Sequence, residues 1–174
     1  MKGLIHVYKG EGKGKTTACV GLTVRAAGRG KNVIFLQFHK GNETGEINIL
    51  NNLSNVTVIR NTKNFGFYNT LSIGEQEELI NMQNNNFDRA LSIIKDGKTD
   101  MLVMDEIFTA CCYKTIDVEK LKNFLVNKPK ELEVVMTGHN PDSFFCDIAD
   151  YVTDMRCEKH PYEKGICARV GIEM

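Results

Sequence analysis

A glycine- and lysine-rich octapeptide near the start of the sequence constrains the fold more than any other feature. Residues 10–17 read Gly-Glu-Gly-Lys-Gly-Lys-Thr-Thr and follow the apolar run Leu-Ile-His-Val-Tyr at 4–8. Glycines let backbone N–H groups converge on phosphate oxygens, a lysine adds positive charge, and a hydroxyl can ligate Mg²⁺. A following helix would direct its positive end at the same anion. The octapeptide predicts a nucleoside triphosphate site; the alternative is a turn that holds no ligand.

The loop departs from the common phosphate-binding pattern by one residue. The pattern G-x-x-x-x-G-K-[ST] requires a glycine five positions before Gly14, and this sequence has Lys9 there. The loop therefore begins at Gly10 and is one residue shorter than usual.

Composition restricts the expected partners and location. The 22 lysines and arginines balance the 22 aspartates and glutamates. The net charge therefore gives the chain no overall electrostatic attraction to nucleic acid or to an anionic membrane surface. No apolar run approaches the roughly 20 residues that a membrane span needs. The six cysteines contain no C-x-x-C pair and lack zinc-site spacing. The first strand leaves no room for a signal peptide. We expect a reduced, cytoplasmic protein.

Strand-like and helix-like segments alternate along the chain. The predicted strands are 3–8, 33–38, 56–60, 101–104, 133–137, 151–155 and 168–173. The predicted helices are 15–27, 43–53, 75–95, 118–126 and 142–149, with a helix or turn before Tyr113. This order predicts one domain over residues 1–174 with an α/β fold, a three-layer P-loop NTPase-like (RecA-like) arrangement. Its sheet should be mainly parallel, with helices on both faces.

A second phosphate-site signal lies at the end of the fourth predicted strand. The run Met-Leu-Val-Met at 101–104 is followed by Asp105 and Glu106. An acid at such a strand end can hold Mg²⁺ beside the threonine of the loop. Alone the signal is weak, but its pairing with residues 10–17 strengthens it. The pattern does not decide which carboxylate ligates directly.

The motifs together resemble the P-loop corrinoid adenosyltransferases. The matching blocks are 8–18, 25–30, 37–41, 105–107, 135–138, 149–156, 159–162, 165 and 171–173, in family order. The shortened loop is itself the family's form. The resemblance implies transfer of the 5′-deoxyadenosyl group of ATP to the cobalt of a reduced corrinoid, with release of triphosphate. It also implies a homodimer and an electron-donating flavoprotein reductase as partners.

The resemblance implies a role for each matching site residue. Lys15 would neutralise the triphosphate, and Thr16 with Glu106 would hold Mg²⁺. Phe65 and Phe67 match two bulky residues that press on the lower corrin face, exclude the lower axial ligand and make Co(II) easier to reduce. Lys15, Phe65 and Phe67 are thus the expected catalytic residues. The expected nucleotide contacts are Gly10, Glu11, Gly12, Lys13, Gly14, Lys15, Thr16, Thr17 and Arg25.

Three positions depart from the family pattern. Glu11 replaces a usual asparagine, Phe67 replaces a tryptophan, and His139 replaces a common arginine. Without the family, Phe65 and Phe67 could equally be ordinary packing beneath a loop, although two aromatics in a polar loop also suit an apolar ligand.

Two other functions remain as alternatives. A small P-loop kinase usually needs an arginine-bearing lid, and the arginines here are scattered. A non-catalytic ATP switch often has a lysine after the first glycine position of the loop, where this chain has Gly10. The chemistry of adenosyl transfer suits the sequence, because Co(I) is a strong nucleophile and no Ser-His-Asp or Cys-His set is evident. The phosphate product distinguishes the three functions.

Overall fold

Six parallel strands form the centre of the molecule. The computed structural model describes residues 2–42 and 44–173. Within them the sheet has the order β3-β2-β4-β5-β1-β6, and every strand pairing is parallel. The strands are β1 (Ile5–Lys9), β2 (Val33–Gln37), β3 (Val56–Arg60), β4 (Met101–Asp105), β5 (Glu133–Gly138) and β6 (Tyr151–Asp154).

Six α-helices connect these strands. They are α1 (Lys15–Ala27), α2 (Gly45–Leu50), α3 (Ile73–Lys95), α4 (Ile107–Cys112), α5 (Val118–Asn127) and α6 (Ser143–Asp147), within the described part of the chain. Short 3₁₀ turns occupy Tyr68–Thr70 and Pro161–Lys164. None of the helices in residues 2–42 and 44–173 has both the length and the apolar character that membrane crossing requires.

Alternate side chains of each strand pack against different helices, as the two-residue period of a strand requires. On β2, Ile34 and Leu36 belong to the core formed with α3, α4, α5 and α6, whereas Val33 and Phe35 pack with α1 and α2. All five residues of β2 and of β4 are buried, because helices cover both faces. The three layers predicted from the sequence are confirmed.

Local capping explains where several helices begin. The Ser72 hydroxyl accepts from the Glu75 backbone N–H, and the Glu75 carboxylate accepts from the Ser72 N–H, a capping box that starts α3. The Asp117 carboxylate caps α5 by accepting from the backbone N–H of Lys120. Helix α1 instead begins after Gly14, which has no side chain to offer and a φ of 114°. Its first N–H groups are therefore free to meet an anion.

The strand predicted at 168–173 is wrong. The segment forms a turn, because Glu173 accepts from the backbone N–H and the guanidinium of Arg169, and Gly171 adopts a φ of 77°. The predicted helix at 43–53 is shorter, since α2 covers Gly45–Leu50, and Glu43 lies outside the described residues. The single-domain assignment over 1–174 stays a prediction.

Candidate active site

A cavity of about 890 Å³ lies at the carboxyl edge of the sheet. We call it the main cavity. Its walls are the loop and first turn of α1 at 12–17, the segment after β2, part of the loop at 61–72, Glu106, and the turn at 171–173. Open α/β sheets bind ligands at this edge.

The phosphate-binding loop curls around the ammonium group of Lys15. Lys15 Nζ donates to the backbone oxygens of Gly10 over 2.7 Å and Gly12 over 2.8 Å. The Gly12 N–H donates in turn to Met155 O, which follows β6, over 2.6 Å. Lys15 lines the main cavity although its residue is only 7% exposed. The loop is thus closed by its own lysine and braced by the neighbouring strand.

Asp105 at the end of β4 is the polar centre beneath the loop. Its carboxylate is fully buried and accepts from the Thr16 hydroxyl over 3.0 Å, the Thr137 hydroxyl over 2.7 Å and Gln37 Nε2 over 3.1 Å. Gln37 stands beside Asp105 in the β2–β4 register. A buried charge persists only with such partners. The sheet therefore holds the loop threonine and this acid together.

A second lysine reaches the same two groups. Lys40 Nζ lies 3.0 Å from Thr16 Oγ1 and 3.3 Å from Asp105 Oδ2. Burial alone lowers the pKa of Lys40, but the carboxylates of Asp105 and Glu106 outweigh it and raise that pKa above its usual value. Lys40 is charged at neutral pH. The family resemblance includes Lys40 in the block 37–41 but implies no role for it.

Glu106 faces the main cavity from a different direction. It has a φ of 61° and precedes α4, and its carboxylate accepts from the Thr109 hydroxyl over 2.6 Å. The structure brings Thr16 into contact with Asp105, whereas Glu106 lines the main cavity without bonding to Thr16.

Hydroxyl and carboxylate oxygens are the donors that Mg²⁺ prefers, so Thr16, Asp105 and Glu106 fit this ion. Residues 2–42 and 44–173 contain no group of three or more histidines, cysteines or acids placed to hold a metal. Substrate oxygens or waters would have to complete its coordination.

The two predicted aromatic residues have different environments. Phe67 is 84% exposed and lines the main cavity, whereas Phe65 is 9% exposed and has Lys63 Nζ 4.8 Å from its ring centre. The loop that carries them packs on Gly41, where an added Cβ would lie 2.3 Å from Lys63 O. Only Phe67 offers a ring surface to a ligand in this arrangement.

Three of the predicted nucleotide contacts, Gly10, Glu11 and Arg25, do not line the main cavity. Arg25 is exposed in the last turn of α1, about 15 Å along the helix axis from Lys15. Glu11 lines a smaller cavity of about 380 Å³ and pairs with His139 over 3.1 Å. The structure brings Lys13, Thr16 and Thr17 to the main cavity but neither Arg25 nor Glu11. Their roles as nucleotide contacts stay predictions.

His39 adds an uncharged polar group to the cavity wall. It has a φ of 57°, lies 3.1 Å through Nε2 from Thr115 Oγ1, and packs near the rings of Tyr68 and Tyr113. The Thr115 hydroxyl also donates to Gln83 Oε1 over 2.7 Å. Burial lowers the pKa of His39 to about 4.

Comparison with known proteins identifies the family of the chain. The model of the family ATP:corrinoid adenosyltransferase BtuR/CobO/CobP matches residues 1–174. A corrinoid adenosyltransferase of Sinorhizobium sp. is 35% identical over 174 residues, covering 99% of this chain and 80% of the relative. The corrinoid adenosyltransferase of Escherichia coli strain K12 is 31% identical over 173 residues, covering 99% of this chain and 86% of the relative.

A solved structure supports the fold alone. The ATPase 2 and 3 region of EssC from Geobacillus thermodenitrificans superposes with a TM-score of 0.53 at 12% identity, covering 97% of this chain and 35% of that one. The P-loop NTPase-like fold is confirmed. With a family match along its whole length and relatives above 30% identity, the chain belongs to the ATP:corrinoid adenosyltransferase family.

Proposed function

We propose that this protein transfers the 5′-deoxyadenosyl group of ATP to the cobalt of a reduced corrinoid and releases inorganic triphosphate. The observation that carries the proposal is the family match over residues 1–174. The main cavity supports it, since one space is bounded by the phosphate-binding loop and by the exposed ring of Phe67. A nucleotide and a flat apolar ligand could meet there.

The reaction requires positioning of the two substrates and neutralisation of the leaving triphosphate more than it requires proton transfer. The electron pair of Co(I) forms the bond to C5′, the C5′–O bond breaks, and its electrons leave with the triphosphate. No base is required, so the protein contributes by holding the two substrates in line and stabilising the leaving group. Lys15 and the N-terminus of α1 face the cavity and suit that task.

Magnesium is the ion that this donor set suits. We assign its binding to Thr16 and Glu106. The Asp105 carboxylate accepts a hydrogen bond from the Thr16 hydroxyl, so the metal would be ligated through a lone pair of the hydroxyl oxygen. Glu106 keeps cavity access, whereas Asp105 is buried under several hydrogen bonds. When bound, Mg²⁺ would neutralise charge on the triphosphate.

We assign the lower corrin face to the loop at 61–72. Phe67 would press its exposed ring against the macrocycle, and the buried Phe65 would support it from beneath. Neither ring can coordinate cobalt. Removal of a lower ligand withdraws electron density from Co(II) along that axis, which makes Co(I) accessible to a mild reductant. A flavoprotein reductase, a homodimeric state and a cytoplasmic location complete the proposal.

A single assay tests the reaction. The protein is incubated with ATP, Mg²⁺ and chemically reduced cobalamin, and the absorption spectrum is followed as the Co–C bond forms. Adenosylated product and triphosphate in equal amounts support adenosyl transfer. ADP with a phosphorylated acceptor would indicate a kinase, and ADP with orthophosphate would indicate a switch protein. Intact ATP binding without adenosylated product would refute the proposal.

A further inference from the structure

The Thr16 hydroxyl makes hydrogen bonds to two charged neighbours. Its proton points to Asp105 Oδ1 over 3.0 Å, and its oxygen accepts from Lys40 Nζ over 3.0 Å. A metal ligated by this hydroxyl needs an oxygen lone pair and a negative environment. Lys40 occupies one lone pair of this oxygen and offsets the negative charge beside it, because it also forms an ion pair with Asp105 Oδ2 at 3.3 Å. An ammonium group and a divalent cation on one hydroxyl oxygen would repel each other strongly.

Lys40 has a path out of this position. Its side chain is 34% exposed while that of Asp105 is fully buried, so the lysine approaches the acid from the cavity side. It lies between His39, with its left-handed φ, and Gly41, and all three residues line the main cavity. A four-carbon stem can turn the ammonium from Thr16 towards the cavity without moving the backbone.

We propose that Lys40 is a resident counter-ion that competes with Mg²⁺ for the Thr16 oxygen and for the negative charge of Asp105, and that metal entry moves its ammonium group to the triphosphate. This inference rests on the proposed Mg²⁺ role. Metal alone would then bind weakly, because it must displace a charged hydrogen-bonded group. Metal with triphosphate would bind well, because the displaced lysine gains a new anionic partner.

The arrangement gives the site two useful properties. The buried charge of Asp105 is compensated whether or not metal is bound, so the sheet edge avoids an unpaired carboxylate. The leaving triphosphate would also meet a third cation beside Lys15 and Mg²⁺. Lys40 is thus a candidate substrate-contacting residue of the transfer reaction.

The chain supplies a matched control for testing this. Lys31 pairs with Asp100 over 2.9 Å, just before the same two strands, β2 and β4, begin. It therefore lies at the opposite edge of the sheet. The Lys40→Met variant removes the charge at the site, and the Lys31→Met variant removes an equivalent charge away from it.

Metal binding is measured without nucleotide, by Mn²⁺ titration under electron paramagnetic resonance and by the Mg²⁺-dependent rise in Tm. We expect Lys40→Met to bind Mn²⁺ at least tenfold more tightly than the wild type, and Lys31→Met to match the wild type. Equal Mn²⁺ affinity in Lys40→Met and wild type would overturn the proposed competition.

The Lys40→Gln variant keeps a hydrogen-bond donor for Asp105 and replaces Lys40→Met in these measurements if Lys40→Met does not fold. If it too folds poorly, millimolar Mg²⁺ should restore its Tm, and failure to do so would also overturn the inference.

Tripolyphosphate is the probe for the second half of the proposal. With saturating Mg²⁺, Lys40→Met should bind tripolyphosphate at least fivefold more weakly than the wild type, while Lys31→Met should be unchanged. Undiminished binding would show that the displaced ammonium does not reach the anion. The Mn²⁺ and tripolyphosphate binding measurements can be interpreted even if the adenosyl-transfer assay gives no product. Absence of metal binding in every variant, even with ATP, would instead reject the magnesium role itself.

Discussion

His139 Nδ1 lies 3.1 Å from Glu11 Oε2, which joins two of the three positions at which this chain departs from its family pattern. Glu11 belongs to the phosphate-binding loop and His139 follows β5, so the contact bridges neighbouring strand ends. The usual pair, asparagine and arginine, would carry one positive charge. The pair in this chain instead adds a carboxylate at the edge of the loop, in contact with the histidine.

This contact predicts coupled effects on nucleotide binding. In a double-mutant cycle of Glu11→Ala and His139→Ala, we expect a coupling free energy of about 0.2–1 kcal/mol, the range of partly exposed ion pairs. Calorimetric titration with ATP measures it. Glu11→Ala alone should tighten ATP binding, because a negative charge near the loop is removed. Strictly additive changes would show that the two departures are independent.

Lys15 should dominate the binding of the triphosphate. The Lys15→Ala variant loses a charge-assisted contact worth on the order of 1.5–3 kcal/mol, so the Kd for ATP should rise at least tenfold. Calorimetry measures the Kd. The control is Lys13→Ala, whose exposed ammonium pairs with Glu173 over 3.1 Å and whose loss should cost less. ATP affinity equal to that of the wild type in Lys15→Ala would refute the loop assignment.

Phe67 should matter mainly when the reaction starts from Co(II). The Phe67→Ala variant should slow adenosylation with an enzymatic reductant on the order of tenfold, about 1.4 kcal/mol in activation free energy. With chemically supplied Co(I) the loss should be much smaller, because that species already lacks axial ligands and only positioning remains. Equal losses in both assays would remove the activation role.

Stability measurements separate the two aromatic residues. Phe67 is 84% exposed, so Phe67→Ala should change the free energy of unfolding by less than about 0.5 kcal/mol. Phe65 is buried, and Phe65→Ala should cost about 3–5 kcal/mol. For that reason Phe65→Leu is the better variant for kinetic comparison. A large loss of stability in Phe67→Ala would show that its ring packs against the protein in solution.

The alternating pattern predicted the sheet because buried parallel strands are short apolar runs whose ends are visible in the sequence. It failed at 168–173, where the residues alternate like a strand but a glycine and the Arg169–Glu173 pair close a turn. That pair joins residues four apart in the sequence, and the two-residue period of a strand gives no sign of such a contact.

The candidate site, like the fold, could be predicted only in part from the sequence. The meeting of Thr16 with the acid after β4 could be predicted, because both follow parallel strands and reach one sheet edge. The placement of Lys40 could not, since it depends on the left-handed φ of His39. The difference between Phe65 and Phe67 depends on how their loop packs on Gly41, a contact between segments distant in sequence.

His39 should make the protein less stable as the pH falls. Burial lowers its folded-state pKa from 6.5 to about 4, so above pH 6.5 the histidine is neutral in both states and contributes nothing. Between pH 6.5 and about 4, only the unfolded chain takes up the proton, and the free energy of unfolding decreases. At about 1.4 kcal/mol per pKa unit, the loss approaches roughly 3 kcal/mol. Urea unfolding at pH 7 and pH 4.5 measures it.

The His39→Asn variant isolates this contribution from the carboxylates that titrate over the same range. Asparagine tolerates a left-handed φ and does not ionise, so the variant should lose less stability between pH 7 and pH 4.5 than the wild type. His160→Asn replaces an exposed histidine and should follow the wild type. If His39→Asn and the wild type lose the same stability, His39 is protonated freely in the folded protein. The cavity wall around it would then be open to water.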